Sequence, residues 1–267
     1  MRSDQLTAAS AAACVSCLMV TRNRTRLARR AIECFVAQTW PNKELVIVDD
    51  GEQDYAPVLA NYQRDHRIVY RRLPPDSART LGTARNISLE LAAGDYCAQW
   101  DDDEWYHPER ISAQMAGILA RADAVVLKYT LMHLDTADFT PHPYRAHLRG
   151  GTPGTILHRR GEVRYPEFRK NEDAVYLAQW SARARVKVLD RYHSNLFIRC
   201  FHGENTWARE HFLRRLRTTR IDQWRHFVAT RLRKDLFSHP AFQLTSLERE
   251  SVERFQRESR ALGLLQA

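Results

Sequence analysis

Long apolar runs and paired cysteines are both missing from this sequence. No apolar stretch approaches the roughly 18 residues of a membrane-spanning helix, so the sequence predicts no membrane span. The five cysteines are odd in number and lie mostly in apolar runs, which argues against a disulfide framework and indicates buried free thiols in a reducing compartment. Cys14 and Cys17 have the spacing of a zinc pair, but a second pair is lacking, so zinc is not expected. The others are Cys34, Cys97 and Cys200.

Internal repeats, low-complexity linkers and a surplus of acidic residues are missing as well. With 267 residues, 44% of them hydrophobic, the chain can bury a full core and fits one large domain or a domain with an appendage. Residues 1–13 make a poor signal peptide and are interpreted as a frayed leader. The formal net charge of +9 comes mainly from arginine, which suits anionic partners such as phosphates, nucleic acid or acidic lipid.

Apolar strand-like runs alternate with helical patterns through the first half of the chain. This rhythm is typical of an α/β fold in which a mostly parallel, Rossmann-like sheet is flanked by helices. We predict strands at 15–20, 45–48, 68–72, 96–100 and 124–129, and helices at 25–37, 55–64, 81–92 and 108–120. Residues 130–165 are irregular and are expected to form a partly antiparallel segment over the sheet edge, where substrate specificity usually resides. The remaining predicted elements are a helix at 172–182, strands at 186–189 and 194–199, and an arginine-rich helical tail from 206.

Three consecutive aspartates follow the predicted strand at 96–100 and are the most informative feature of the sequence. Clustered carboxylates repel one another unless a cation or the fold neutralises them. A turn can aim Asp101 and Asp103 at one divalent ion, or at one ion and one ribose, and carboxylate oxygens suit Mg²⁺ or Mn²⁺. Such an ion would neutralise a departing diphosphate. The alternative is an acidic N-cap for the helix at 108, but three aspartates followed by Glu104 are excessive for a cap.

Polar clusters also follow the first two predicted strands. Because carboxyl ends of neighbouring parallel strands meet at one edge of a sheet, the two clusters are expected to share a crevice. An aspartate there can accept from a base N–H or a ribose hydroxyl, and Thr21 can pair with a pyrimidine edge. The alternative for each cluster alone is a helix cap and a turn. The first cluster is Thr21, Arg22, Asn23 and Arg24, and the second is Asp49, Asp50 and Gly51.

Two arginines stand near the start of the predicted helix at 81–92. Arg79 and Arg85 are near the helix N-terminus, whose free N–H groups already favour phosphate. The alternative is a pair of solvated surface arginines. This helix leads directly into the strand that delivers Asp101 and Asp103, so cation and guanidinium groups are expected to converge on one diphosphate.

Six short motifs, in this order and spacing, resemble family 2 glycosyltransferases with the GT-A fold. The likeness covers residues 14–205, and no single motif is decisive. The motifs are Val20-Thr21-Arg22-Asn23-Arg24, Leu45-Val46-Ile47-Val48-Asp49-Asp50-Gly51, Ala84-Arg85-Asn86, Gly94-Asp95-Tyr96, Trp100-Asp101-Asp102-Asp103 and Asn171-Glu172-Asp173.

The resemblance implies a nucleotide-sugar donor, most often a UDP-sugar. It implies that Asp49 or Asp50 contacts the base, that Asp101 lies at the ribose or metal with Asp102 in the same nucleotide-sugar site, and that Asp103 is the principal metal ligand. The domain it implies has a nucleotide-sugar half at 14–103 and an acceptor half at 104–205, followed by the helical extension at 206–267.

The same resemblance assigns the catalytic base to the second acid of a late Glu-Asp pair. Asp173 would deprotonate the acceptor hydroxyl as its oxygen attacks and inverts the anomeric carbon, and Glu172 would orient the site or the acceptor. A helix cap is the alternative for Asp173. His202, in a His-Gly-x-Asn-Thr motif found in some bacterial members, would complete the metal shell or bind the β-phosphate, with a structural histidine as the alternative.

The tail from 206 combines apolar residues at three- and four-residue spacing with many arginines, as in an amphipathic helix pair. Packing against the catalytic domain or homodimer formation is one account of it. The other is peripheral attachment to an anionic membrane surface that carries a lipid-linked acceptor.

Three other functions fit these residues less well. A non-catalytic nucleotide-sugar-binding protein would not need Asp173; a nucleotidyltransferase would need a glycine-rich loop after the first strand, where none is present; and in a nucleic-acid groove the acid cluster would fit badly. The sequence therefore predicts a metal-dependent inverting glycosyltransferase, of hexosyltransferase type, with a saccharide or lipid-linked acceptor in cell-surface polysaccharide assembly. By analogy it would be cytoplasmic, either free or at the inner face of the membrane.

Overall fold

The computed structural model describes residues 13–62 and 67–265. The predicted leader at 1–13 lies outside the described residues except for Ala13. The strands are β1 (Val15–Thr21), β2 (Lys43–Asp49), β3 (Ile68–Arg72), β4 (Tyr96–Gln99), β5 (Trp105–Tyr106), β6 (Ala124–Leu127), β7 (Tyr129–Leu134), β8 (Tyr144–His147), β9 (Leu157–Arg159), β10 (Val186–Leu189) and β11 (Phe197–Phe201). The α-helices are α1 (Thr25–Val36), α2 (Ala56–Leu59), α3 (Leu81–Leu91), α4 (Arg110–Leu119), α5 (Glu172–Arg183), α6 (Arg209–Leu213), α7 (Arg220–Phe227) and α8 (Ser246–Ala261).

The chain divides into two compact units that alternate along the sequence. The first contains the residues up to Val126 together with Pro153–Lys187, and the second contains Leu127–Thr152 and the residues from Val188 onward. The functional boundaries predicted between residues 103 and 104 and between 205 and 206 stay predictions.

A seven-stranded sheet forms the centre of the first unit, in the order β10-β6-β9-β4-β1-β2-β3. Strands β3, β2, β1 and β4 run parallel, whereas β9 is antiparallel to both of its neighbours, β4 and β6. The predicted α/β class with a mostly parallel sheet is confirmed. The irregular region predicted at 130–165 is divided: β9 joins this sheet between two strands instead of covering its edge, and β7 and β8 belong to the second unit.

Both faces of this sheet are covered, which is why its central strands read as continuous apolar runs. On one face, Val46 and Val48 of β2 pack in a buried cluster with Ala84 of α3 and Tyr176 of α5. Helix α1 buries Ala28, Ala31, Ile32 and Phe35, whose three- and four-residue spacing places them on one side of the helix.

The start of α3 is held close to the loop that precedes α5. Thr80 caps the helix by accepting a hydrogen bond from the Thr83 backbone N–H at 3.1 Å. A Cβ added to Gly82 would lie 1.8 Å from the carbonyl oxygen of Pro166, so only glycine allows this approach. The close contact places the beginnings of α3 and α5 near each other.

The second unit contains the strands β11, β7 and β8. Strand β7 pairs in parallel with β11 and antiparallel with β8. Met132, Tyr144, Phe212 and Leu216 form its buried apolar cluster. The predicted helical tail is present as several short helices followed by the longer α8. Within the described residues, no helix is both long enough and apolar enough to span a bilayer.

Helix α8 is anchored to this unit by one buried carboxylate. Glu248 accepts hydrogen bonds from Nε and Nη2 of Arg145, from the Ser194 hydroxyl at 2.5 Å and from the Thr245 backbone N–H at 2.7 Å. Burial alone would raise its pKa, but the hydrogen bonds from Arg145, Ser194 and Thr245 outweigh burial and lower the pKa of Glu248 to about 2. The ionised form is therefore strongly preferred in the folded protein.

We expect Glu248→Gln to remove an acid-sensitive part of the stability. Because the folded pKa of about 2 lies below the unfolded value of about 4.3, the contribution is present above pH 4.3 and is lost as the pH falls towards 2. Its size is about 3 kcal/mol at neutral pH. Denaturant unfolding measured across this pH window should show the decline in the wild type and in Glu253→Gln, an exposed change on the same helix, but not in Glu248→Gln. Equal pH profiles for all three proteins would contradict the assignment.

Candidate active site

The polar clusters that follow β1, β2 and β4 lie at one edge of the first sheet. Thr21 and Asp49 are directly paired at the ends of β1 and β2, and the Trp100 backbone N–H donates to the Leu18 carbonyl at 3.0 Å, so β4 continues beside β1 up to Asp101. These are the carboxyl ends of parallel strands, where open α/β sheets bind ligands.

The middle aspartate of the triplet faces the protein interior. Asp102 is buried and accepts a hydrogen bond from the Thr21 hydroxyl at 2.6 Å. Burial and the negative charge of Asp103 raise the pKa of Asp102 to about 7. Thr21 is also buried, and its hydroxyl lies 2.5 Å from that of Tyr55. Both side chains thus join β1 to the acidic loop, and the nucleotide-sugar contacts predicted for Thr21 and Asp102 stay predictions.

The flanking aspartates each face an arginine and keep partial solvent access. Asp101 Oδ1 accepts from Arg85 at 2.8 Å, and Asp103 Oδ2 accepts from Arg24 at 3.0 Å. Their side chains are 23% and 15% exposed. Arginine charges thus balance the clustered carboxylates within the fold, and both acids remain within reach of a ligand.

The loop after β1 combines one structural and one open side chain. Asn23 takes a left-handed backbone conformation, φ 55°, and its side-chain oxygen accepts from the backbone N–H groups of Glu52 at 2.7 Å and Gln53 at 3.2 Å. This contact ties the loops after β1 and β2 together. Arg22 is 62% exposed and lies 3.8 Å from Asp50, so its guanidinium has access to an anionic ligand.

The acids after β2 differ in their surroundings. Asp49 is fully buried and accepts from the Tyr70 hydroxyl at 2.7 Å and from the Gly51 backbone N–H at 2.8 Å. Asp50 is partly exposed and forms an ion pair with Arg79. The base contact predicted for Asp49 or Asp50 stays a prediction.

A buried arginine connects the acidic loop to the start of α5. Arg85 donates to Asp101 at 2.8 Å and to Glu172 at 3.1 Å, and both Arg85 and Glu172 are less than a tenth exposed. Burial and the nearby Asp173 charge raise the pKa of Glu172, although Arg85 opposes this shift. Arg79 and Arg85 therefore both contact carboxylates of the protein, and the diphosphate contacts predicted for them stay predictions.

Asp173 differs from its neighbour in having an open carboxylate. Asp173 is the second residue of α5, in the first turn, and the N-cap of this helix is Asn171 in a left-handed conformation, φ 64°. The Asp173 side chain accepts the Ala174 backbone N–H at 2.7 Å, and within the described parts of the chain no cation forms an ion pair with it. A partly exposed carboxylate with spare acceptor capacity is what a general base requires.

His202 belongs to the second unit, in the loop that follows β11. Its backbone N–H donates to the Asn205 side chain at 2.7 Å, which closes the turn through Gly203. Its predicted role at the metal or the β-phosphate stays a prediction. In residues 13–62 and 67–265, no group of three His, Cys, Asp or Glu side chains converges as a complete cation site.

Sequence reasoning missed three residues that support side chains of the candidate site. Arg24, Tyr55 and Tyr70 contact Asp103, Thr21 and Asp49 respectively. Arg24 stands inside the first motif, but nothing in the sequence indicates that it pairs with Asp103. The two tyrosines lie outside the motifs, and nothing local in the sequence pairs them with Thr21 and Asp49.

Comparison with known proteins places these elements in a family. The profile described as "Glycosyl transferase family 2" matches residues 16–157. CgeD of Bacillus subtilis is 33% identical over 49% of this chain and 33% of its own length. The protein of Escherichia coli named "Putative colanic acid biosynthesis glycosyl transferase WcaA" is 35% identical over 38% of this chain and 37% of its own. This chain thus spans about a third of the length of these relatives.

One relative is matched over more of its length, and solved structures share the fold. The Escherichia coli UDP-Glc:alpha-D-GlcNAc-diphosphoundecaprenol beta-1,3-glucosyltransferase WfaP is 29% identical over 67% of this chain and 76% of its own. S. aureus TarS 1-349 in complex with UDP-GlcNAc has a TM-score of 0.58 and 15% identity, over 94% of this chain and 83% of that one. Mannosyltransferase PcManGT from Pyrobaculum calidifontis, in complex with GDP-Man and Mn²⁺, has a TM-score of 0.52 and 14% identity, over 95% and 76%.

Proposed function

We propose a reaction for this chain, which belongs to glycosyl transferase family 2. It moves a sugar from a UDP-sugar to a hydroxyl of a saccharide or lipid-linked acceptor and inverts the configuration of the anomeric carbon. The family predicted from the six motifs is confirmed, as are the GT-A fold and the glycosyltransferase class. The donor, the acceptor and the stereochemistry belong to the proposal. The observation that carries it is the meeting of three polar loops, two of them acidic, at one sheet edge, joined through Arg85 to the helix that presents Asp173.

Asp173 would act as the base. Its carboxylate would take the proton of the acceptor hydroxyl while that oxygen forms a bond to the anomeric carbon and the bond to the diphosphate breaks. Glu172 is fixed by Arg85 and would orient the first turn of α5. The ion pair leaves Asp173 as the open acid of the two, which supports this division of roles.

The carboxylate groups of Asp101 and Asp103 suit a divalent ion such as Mn²⁺ or Mg²⁺. Both offer hard oxygen ligands with partial solvent access. Asp103 would hold the ion with Asp101, and the diphosphate and water would complete its shell, as is usual for Mg²⁺ at phosphate sites. When bound, the ion supplies charge neutralisation at the leaving diphosphate. The Mn²⁺ in the PcManGT complex supports this part of the proposal.

The choice of UDP is supported by two of the similar proteins. TarS was solved with UDP-GlcNAc, and WfaP is named for UDP-Glc and an alpha-D-GlcNAc-diphosphoundecaprenol acceptor. The partly exposed Asp50 beside the exposed Arg22 is the part of the edge best suited to a nucleotide. A cytoplasmic location, at the inner face of a membrane, would give access to such an acceptor.

Calorimetric titration tests the donor and the metal together. The full chain is titrated with UDP, GDP, dTDP and CMP, each with and without Mn²⁺. We expect UDP to bind best and to need the metal. Asp103→Asn should lose the metal-dependent part of UDP binding, whereas Glu90→Gln, an exposed change in the same unit, should retain it.

The other outcomes have distinct meanings. Preference for another nucleotide would replace UDP as the nucleotide of the proposed donor but would leave the proposed binding site in place. UDP binding that is the same with and without Mn²⁺ would exclude the metal. No binding to any nucleotide would contradict the proposed function.

A further inference from the structure

A helical surface of the second unit exposes large apolar side chains on one side. Helix α7 continues into a π-helical turn at Val228–Leu232, which gives one helical segment from 220 to 232. Ile221, Trp224, Phe227 and Leu232 are 63%, 62%, 46% and 64% exposed. The Trp224 and Phe227 rings stack with centroids 5.7 Å apart. We call the exposed side of this segment, which carries these four apolar side chains among arginines, the amphipathic face. An apolar patch of this kind on a solvent-exposed protein surface marks a binding surface.

Positive charge surrounds the amphipathic face. Residues 214–234 contain seven arginines and one lysine but a single acid, Asp222. Asp222 is buried, and it forms a capping box with Thr219 at the start of α7. Arg220 lies one helical turn before Trp224, Arg231 lies in the π-helical turn next to Leu232, and both arginines are exposed. The exposed side of the segment is therefore both apolar and cationic.

We propose that the amphipathic face binds the headgroup region of an anionic lipid bilayer. An amphipathic helix with aromatic residues on one side and arginines around them lies in the plane of such an interface. Tryptophan favours the headgroup region because its ring is apolar and its N–H is polar. The apolar stems of arginine side chains can cover apolar surface while their charged ends reach phosphate. This inference does not depend on the proposed glycosyl transfer, since none of these residues lies in the candidate active site.

Charge also argues against a second copy of the chain as the occupant. In a two-fold symmetric contact the same surface faces itself, so the arginines of both copies would be brought together, and the only nearby acids along the chain are Asp222, which is buried, and Asp235. Anionic lipid offers the complementary charge. The burial and the Arg217 charge that lower the pKa of His226, on the same helix, are consistent with this positive surrounding.

Co-sedimentation with vesicles tests the proposal. The full chain is mixed with vesicles of phosphatidylcholine alone and of phosphatidylcholine with phosphatidylglycerol, at low and high salt. We expect binding to the anionic vesicles only, weakened by salt. Trp224→Ser and Phe227→Ser should each lower the affinity for anionic vesicles by about tenfold or more, and the double variant should combine the two losses. Arg220→Gln and Arg231→Gln should each lower it by about fivefold.

Matched controls come from other exposed residues of the same unit. Tyr192 is 85% exposed, so Tyr192→Ser removes an aromatic side chain elsewhere, and Arg191→Gln removes a neighbouring charge. Neither should change vesicle binding. Brominated lipid should quench tryptophan fluorescence in the wild type, and Trp224→Phe, which keeps an aromatic ring, should lose that quenching while binding persists.

Three results would overturn the proposal. The first is no sedimentation with anionic vesicles, and the second is an equal loss in the Tyr192→Ser control. The third is salt-resistant self-association that Trp224→Ser abolishes, because it would assign the face to a second copy. UDP binding in the same variants reports on the proposed function separately, so failure of one proposal is distinguishable from failure of the other.

Discussion

Asp173→Asn is expected to lower sugar transfer by about a thousandfold, within the range that general bases contribute, and to leave donor affinity unchanged. The carboxamide cannot accept the proton of the acceptor hydroxyl. Its oxygen can still accept the Ala174 backbone N–H that Asp173 holds at 2.7 Å, so α5 should begin normally. The measurement is nucleotide release from the donor in the presence of acceptor, together with calorimetric UDP affinity.

Two comparisons make this result specific to the base. Glu167→Gln changes an exposed carboxylate a few residues before α5 and should leave transfer unaltered. Thermal unfolding of Asp173→Asn should match the wild type, because the side chain is partly exposed and forms no ion pair with the described residues. Unchanged turnover in Asp173→Asn would remove it as the base, and weaker UDP binding would indicate that it belongs to the donor site.

The strand-end clusters could be predicted because their signals are local. A run of apolar residues such as Leu45–Val48 followed by Asp49 and Asp50 shows both the strand and its polar end. Once the alternation of strands and helices indicates a parallel sheet, the shared edge follows from topology. The pairing of Thr21 with Asp49 is a direct consequence.

The partners of these acids could not be predicted in the same way. Arg24 meets Asp103, 79 residues away, and Arg85 meets Glu172, 87 residues away. In a chain with 41 lysines and arginines, many pairings have similar electrostatic merit, and only the packed fold selects among them. The same holds for β9: its three residues are too short for periodicity to show that they insert between β4 and β6.

Burial also separated residues that the sequence treats as equivalent. Asp101, Asp102 and Asp103 form an unbroken run, yet the central one is buried against Thr21 while its neighbours face arginines and solvent. Asp49 and Asp50 divide similarly into a buried and a partly exposed acid. Which member of an acidic run can reach a ligand depends on the turn that follows the strand, and that turn is set by contacts from other loops.

Replacement of Arg85 should have the largest effect on stability. Arg85→Met leaves the buried Glu172 and the partly exposed Asp101 without their shared cation, and breaking a buried ion pair from one side costs about 3–5 kcal/mol. Because burial already raises the pKa of Glu172 and Arg85 opposes that rise, this pKa should rise further in the variant. The loss should therefore be smallest at low pH, where Glu172 is neutral, and should grow as the pH rises through its folded pKa.

Denaturant unfolding of a small set of variants separates the ion pair from a general effect of losing an arginine. Arg85→Met with Glu172→Gln should recover part of the stability at neutral pH, because no buried charge is left at position 172. Arg159→Met serves as the control, since its pair with Asp123, at 3.8 Å, is about half exposed and such pairs contribute little. If Arg85→Met were no less stable than Arg159→Met, the bridge would not hold α5 to the acidic loop. Asp173 would then need another anchor to be positioned for catalysis.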